Sequence, residues 1–153
     1  LKGILQIDPW YAPQYLFPLL GMVLGNTMNG ISLGLDRFMD SLSVRRKEVE
    51  MLLSMGATSW EASNELIRDA LRTSLIPTIN SMLVMGIVSL PGMMTGQILG
   101  GVSPGEAVRY QIIVVFIIAA AASISSTIII VLAYKALFNS RHQLLFDRLR
   151  NVK

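Results

Sequence analysis

Three stretches of this chain carry no charged residue: 9–35, 73–105 and 110–134, which are 27, 33 and 25 residues long. A helix of ~20 predominantly apolar residues crosses the ~30 Å hydrocarbon core of a bilayer. Each stretch is therefore long enough for one crossing, and the second has residues to spare. A helix at the surface of a soluble domain alternates apolar and polar positions and is usually shorter. Composition agrees: 52% of residues are hydrophobic and 15% charged, against about 25% charged in an ordinary soluble domain, and mean hydropathy is +0.54. The expectation is an all-α integral membrane domain over 1–153. Its transmembrane helices fall at about 15–35, 75–99 and 107–138, and a charged helix–Gly–helix loop occupies 36–72.

The charge pattern excludes several function classes. Net charge is +3, but the basic run Arg45-Arg46-Lys47 is answered at once by Glu48 and Glu50. No basic stripe remains for nucleic acid. There is no cysteine, so no disulfide framework, thiolate site or Cys nucleophile. His142 is the sole histidine, which rules out a His-based metal cluster or dyad within the chain and suggests a solvated tail residue. No Gly-x-x-x-x-Gly-Lys-Ser/Thr run occurs, so the chain forms no P-loop of its own, and ATP and Mg would belong to a partner subunit. No catalytic constellation and no cofactor held by this chain are expected. The first stretch lacks the basic and small-residue flanks of a signal peptide, and the chain opens on Leu1 rather than Met, as a piece of a longer bundle would.

Along the chain, Trp10, Tyr11 and Tyr15 fit an interfacial aromatic belt ahead of the first helix. That helix carries two small-xxx-small pairs, Gly21/Gly25 and Gly30/Gly34, which allow close helix contact. Nothing between Asp36 and Met55 breaks a helix, so it should run on past the membrane. Val49, Leu52, Leu53 and Gly56 form one stripe. Gly56 reads as a helix C-cap and Thr58 to Glu61 as a capping box. A short second helix then buries Leu66, Ile67, Ala70, Leu71 and Leu75. Pro77 suits the first turn of the second crossing. The run 89–92, Ser-Leu-Pro-Gly, predicts a kink or break, with Pro91 and Gly92 as a candidate hinge. Small residues from Ala119 to Ser126 suit tight packing of the third crossing.

Lys and Arg set the topology. Six fall in 36–72, five in the tail from Lys135, and one, Arg109, in 98–109. The positive-inside rule places the first two segments in the cytoplasm. Asn26, Asn29, Asn80 and Gln97 are costly facing lipid, so they are candidates for lining a path as well as for bundle hydrogen bonds. Met82, Met85, Met93 and Met94 invite a soft-metal reading, with plain packing as the commoner use of Met.

The strongest functional signal lies in the charged loop. Glu50 and Gly56 stand six apart on a helix–Gly–helix unit, which resembles the coupling loop of ATP-binding-cassette permeases. Met51 and Leu52 replace the alanines of the importer form of that loop, and Pro77 comes about two turns later than its closing proline. An amphipathic helix of this kind can dock in a partner's groove, with Trp60 as an aromatic anchor and Glu50, Gly56 and Glu61 as the framework of the coupling surface. The competing reading is a helix lying flat on the bilayer. Seven acids against six bases in the loop make it a poor match for anionic lipid.

Longer runs carry a broader resemblance. Residues 19–36 (LLGMVLGNTMNGISLGLD), 76–82 (IPTINSM), 89–97 (SLPGMMTGQ), 106–111 (EAVRYQ) and 138–143 (FNSRHQ) resemble the FetB family of iron-export permeases, and plant aluminium-tolerance permeases look similar. The resemblance spans roughly Pro9 to Leu144. It implies a multi-pass permease of about seven helices, of which this chain is the C-terminal three, working as a homodimer of permease subunits with a separate ATP-binding-cassette ATPase. Its membrane would be the plasma (inner) membrane in a bacterium; in a eukaryote the organelle is left open, as are substrate and direction. The residues by themselves also admit a carrier or channel not driven by ATP, or a membrane scaffold that transmits force.

Overall fold

The computed structural model describes residues 13–85, 91–139 and 142–145. Those residues form five helices: α1 (Pro13–Val44), α2 (Arg46–Ser54), α3 (Ser59–Val84), α4 (Gly92–Leu99) and α5 (Pro104–Leu137). α1, α3 and α5 each pack on the other two, α4 rests on α5, and α2 folds back on α3. The expected aromatic belt lies outside the described side chains.

The first helix does continue past its charge-free stretch, but it breaks at Arg45 rather than running on to Met55. The reason is packing. The bend turns Val49 into the core beside Ala62 and Leu66 of α3, with Leu52 and Leu53 packed at its edge. A straight continuation would carry that apolar stripe away from α3. The corner is also pinned by charge: the Arg45 guanidinium donates to Glu48 (2.7 Å) and to Glu65 of α3 (3.0 Å). About two turns earlier, Arg37 of α1 pairs with Asp69 at 2.7 Å. These pairs are solvent-exposed, so screening by water leaves each a minor contribution.

The helix expected as the second crossing also differs from expectation. No separate short helix precedes it, and Pro77 is not in a first turn. α3 runs unbroken from Ser59 through Leu75 to Val84, with Pro77 in its interior. The missing N–H at Pro77 leaves the Thr73 carbonyl without its usual helical donor, yet the flanking turns hold, with the Ser81 hydroxyl donating to the Pro77 carbonyl at 2.8 Å. α3 ends at Val84, with Met85 as its C-cap, and α4 begins at Gly92, with Pro91 in the N-cap position. Residues 86–90, including Ser89 and Leu90, lie outside the described residues.

The third helix starts earlier than expected, because Ser103 caps it and Pro104 occupies the first turn. Among the described residues, α5 is the one helix long and apolar enough to cross a bilayer, with mean hydropathy 2.6 over its best window. On that measure α1 is diluted by Asn26, Thr27, Asn29 and Ser32, and α3 devotes its first half to charged positions. Contact between the long helices is closest at one glycine pair. A Cβ at Gly34 would sit 2.7 Å from the Ser74 Cβ, and one at Gly30 2.9 Å from the Ser74 carbonyl oxygen. Gly21 and Gly25, the other pair, have nothing within 4 Å.

Candidate functional site

Two regions carry the residues singled out in the sequence: the elbow between α2 and α3, and a set of clefts at the opposite end of the helices.

At the elbow, the end of α2 is closed by a Schellman motif. The Gly56 N–H reaches the Leu53 carbonyl (3.1 Å) and the Ala57 N–H reaches that of Leu52 (3.1 Å). Gly56 has φ +96°, a conformation other residues adopt only under strain. The next helix opens with the expected capping box. The Glu61 carboxylate accepts from the Thr58 N–H (2.8 Å) and hydroxyl (2.7 Å), and the Glu61 N–H donates back to the Thr58 hydroxyl oxygen (3.3 Å). The Thr58 backbone N–H, and then its hydroxyl, hold the Glu61 carboxyl below its ordinary value. The hydrogen bond from Arg45 does the same for Glu48. Glu50 pairs with Arg46 one turn back at 2.6 Å.

Of the four coupling residues, then, Glu50 and Glu61 have partners within their own turns and Gly56 shapes the chain. Trp60 is the one with surface to offer: it is 46% exposed, while its ring meets Tyr134 edge-on at 5.5 Å. The apolar stripes expected to dock are largely consumed internally, since Val49, Leu66, Ile67 and Ala70 are buried. What remains outward is Met51 of α2 and Met55 at its C-cap, together with Trp60.

Sequence reasoning missed a third fastening of this elbow. His142 is exposed, as a solvated tail residue would be, but it is also anchored: its Nδ1 accepts from the Ser59 N–H (3.2 Å) and lies 2.9 Å from the Ser59 hydroxyl, which in turn meets the Tyr134 hydroxyl at 2.7 Å. The chain folds back to make this contact through a bridge between Phe138 and Leu144. The start of α3 is thereby tied to the end of α5.

At the other end, the four amide candidates do not converge. Asn26 lines a cleft of about 210 Å³ between α1, α3 and α5, beside Thr78 and Ser81, and its Nδ2 donates to the Met22 carbonyl at 2.8 Å. Gln97 borders a separate cleft of about 540 Å³ with Gly92 and Met93, and its Oε1 is buried without a partner. Asn29 and Asn80 are exposed and line neither. A third cleft, about 480 Å³, brings together Met82, Met85, Pro91, Met94 and Gln111. Gln111 was overlooked, although the rule that selected the other amides applies to it equally: it is an uncharged polar group near the start of an apolar span. Among the described residues no three His, Cys, Asp or Glu side chains gather as a metal site.

Comparison with known proteins fits this picture. The family described as "Uncharacterised protein family (UPF0014)" matches residues 1–138. The chain is 45% identical over 145 residues to "UPF0014 membrane protein slr1647" of Synechocystis, which covers 95% of this chain and 56% of that protein. It is 40% identical over 140 residues to "Probable iron export permease protein FetB" of Escherichia coli, covering 92% and 54%. It is 36% identical over 144 residues to "Protein ALUMINUM SENSITIVE 3" of Arabidopsis thaliana, covering 94% and 52%. The chain thus spans about half the length of the curated relatives it matches. No solved structure matches it. With a family match over nine-tenths of the sequence and relatives of this similarity on record, the chain belongs to the UPF0014 family of membrane proteins.

Proposed function

We propose that the chain is part of the membrane-spanning permease of an ATP-binding-cassette exporter, moving a metal ion or related solute with energy from a separate ATPase subunit. The bacterial relative named for iron export and the plant relative named for aluminium sensitivity support the cargo class. On this reading α1, the second half of α3 with α4, and α5 make three crossings, a second permease copy completes the pathway, and the elbow faces the cytoplasm.

The observation that carries the reading is the continuity of α3. Its 26 residues run as one helix from the capped elbow to the clefts, a rod about 39 Å long. A partner that grips Met51, Met55 and Trp60 therefore moves the wall of the clefts as a lever moves its far end. The Schellman turn, the capping box and the His142 contact keep the elbow from yielding first. Nucleotide binding shifts such an equilibrium only if the ATPase favours one position of the elbow over the other. Beyond the end of α3, α4 begins at Gly92 and rests on α5 instead.

The test is reconstitution of the full-length protein with its ATPase in vesicles, followed by metal flux and ATP hydrolysis. Trp60→Ala removes an aromatic anchor, which typically weakens an interface by ~2 kcal/mol or more, and should leave basal hydrolysis while losing flux. Gly56→Val, which strains the turn, should do the same. Flux that stays coupled to hydrolysis in both variants sinks the proposal.

A further inference from the structure

Three of the methionines find a common setting in the fold. Met82 of α3, Met85 at its C-cap and Met94 of α4 line the cleft of about 480 Å³, which α5 closes with Gln111. Met ordinarily fills gaps in a core, but here the side chains border open space. Gln111 is 5% exposed. Its Nε2 lies 3.5 Å from the Met85 sulfur, and its Oε1 has no hydrogen-bond partner. A buried amide oxygen left unpaired costs about 1–3 kcal/mol, and such groups call for a ligand or ion that completes them.

We infer that this cleft is a binding site for a soft monovalent cation of the Cu(I) or Ag(I) class, held by the thioethers of Met82, Met85 and Met94 with the Gln111 Oε1 as a weaker fourth donor. Two arguments fix the class. Thioether sulfur is a soft ligand that selects Cu(I) over the harder divalent ions, and an amide oxygen is a known weak axial donor at copper. Charge is the second. The residues lining the cleft are all neutral, and the penalty for taking an ion out of water rises with the square of its charge. Neutral donors can offset that penalty for a monovalent ion, whereas ferric iron or aluminium requires carboxylates or other anionic ligands. The inference is separate from the transport reading, whose cargo class is drawn from the names of relatives, and it concerns an ion bound in this cleft. It rests on these four side chains and needs no ATPase.

The experiment titrates the full-length protein, purified in detergent without nucleotide or ATPase, with Ag(I), and with Cu(I) under reducing conditions against a competing Cu(I) chelator. Wild type should bind one ion per chain, with sulfur scatterers seen at the metal's X-ray absorption edge. The triple variant Met82→Leu, Met85→Leu, Met94→Leu nearly conserves volume, so its packing should survive, and it should lose affinity by about tenfold or more. Unchanged helix content by circular dichroism confirms the fold. Should the triple variant not fold, Met85→Leu and Gln111→Leu singly must each weaken binding. The inference is overturned if wild type binds neither ion, if the variants bind as tightly as wild type, or if Fe(II) displaces Ag(I) at equal concentration. Because no hydrolysis is measured, such a failure leaves the coupling role of the elbow standing.

Discussion

The same three helices are packed in two different ways at their two ends. At the charged end, Phe38, Leu42, Val49, Leu66, Ile67, Ala70, Ile130, Leu137 and Phe138 form one buried cluster, with charge pairs around it. At the charge-free end the corresponding cluster among the described residues is Leu19, Val114 and Ile118, and the clefts open beside it. Water drives apolar burial at the first end. On the proposed reading the second end lies in lipid, where that drive is absent and helices hold together by close approach of small residues and by hydrogen bonds. The difference suits the proposed division of labour: the end that takes the push is stiff, and the end with room for cargo is loosely filled. Within α1 alone the glycine pairs repeat the contrast, Gly30 and Gly34 against α3, Gly21 and Gly25 open.

The contrast is broken most forcefully by truncating a phenylalanine at each end. Phe38 is fully buried and Phe17 is 70% exposed. Phe38→Ala should cost ~3–5 kcal/mol, while Phe17→Ala should stay within about 0.5 kcal/mol of wild type. Denaturant unfolding of the full-length protein in detergent measures both. An equal loss for Phe17→Ala would show that the open end is packed against another helix, and the two ends would no longer differ in kind.

A smaller effect separates the glycine pairs. Alanine at Gly34 places a methyl 2.7 Å from the Ser74 Cβ and 3.3 Å from the Ala70 carbonyl oxygen, an overpacking that costs about 1–3 kcal/mol. Alanine at Gly21 meets nothing and should stabilise the helix by up to ~1 kcal/mol. The same unfolding measurement reads both. A penalty at Gly21 would mark that face as a helix contact, sharpening the comparison into two interfaces rather than one interface and one open face.

What the sequence disclosed follows the reach of each interaction. The Schellman turn at Gly56 and the Thr58–Glu61 box lie within a few residues of chain, so residue types at short spacing determine them, and both were legible. The fusion of the short helix with the second crossing was not, because Pro77 reads as a start signal and only the packing of α3 between α1 and α5 keeps the helix whole around it. The break at Arg45 has no local breaker; it exists because Val49 gains a core 13 residues further along the chain at Ala62. The contact of His142 with Ser59 spans 83 positions, and no periodicity reports on that distance. The four amides were recognised by type, but only the third dimension shows that Asn26 lines one cleft, Gln97 another, Asn29 and Asn80 none, and that the methionine cleft belongs to Gln111.

The smallest effect tests whether the elbow is stiff on its own account. Its folded state holds the Glu61 carboxyl below the ordinary value, first through the Thr58 N–H and second through the Thr58 hydroxyl. A depressed carboxylate pKa contributes stability that is complete above the unfolded value of about 4.3 and fades as pH falls through the lower folded value. The capping box should therefore be indifferent to pH across the physiological range and loosen only in acid. Carboxyl-carbon chemical shifts, followed by NMR against pH, should place the Glu61 titration below that ordinary value. Thr58→Ala should move it only part of the way back, because the backbone N–H still donates. A Glu61 that titrates normally in both proteins would mean its carboxylate is not engaged within its own turn. The elbow would then owe its shape to whatever grips it, Glu61 would be free to meet a partner directly, and the stiff end of the comparison would be stiff only in the proposed complex with the ATPase.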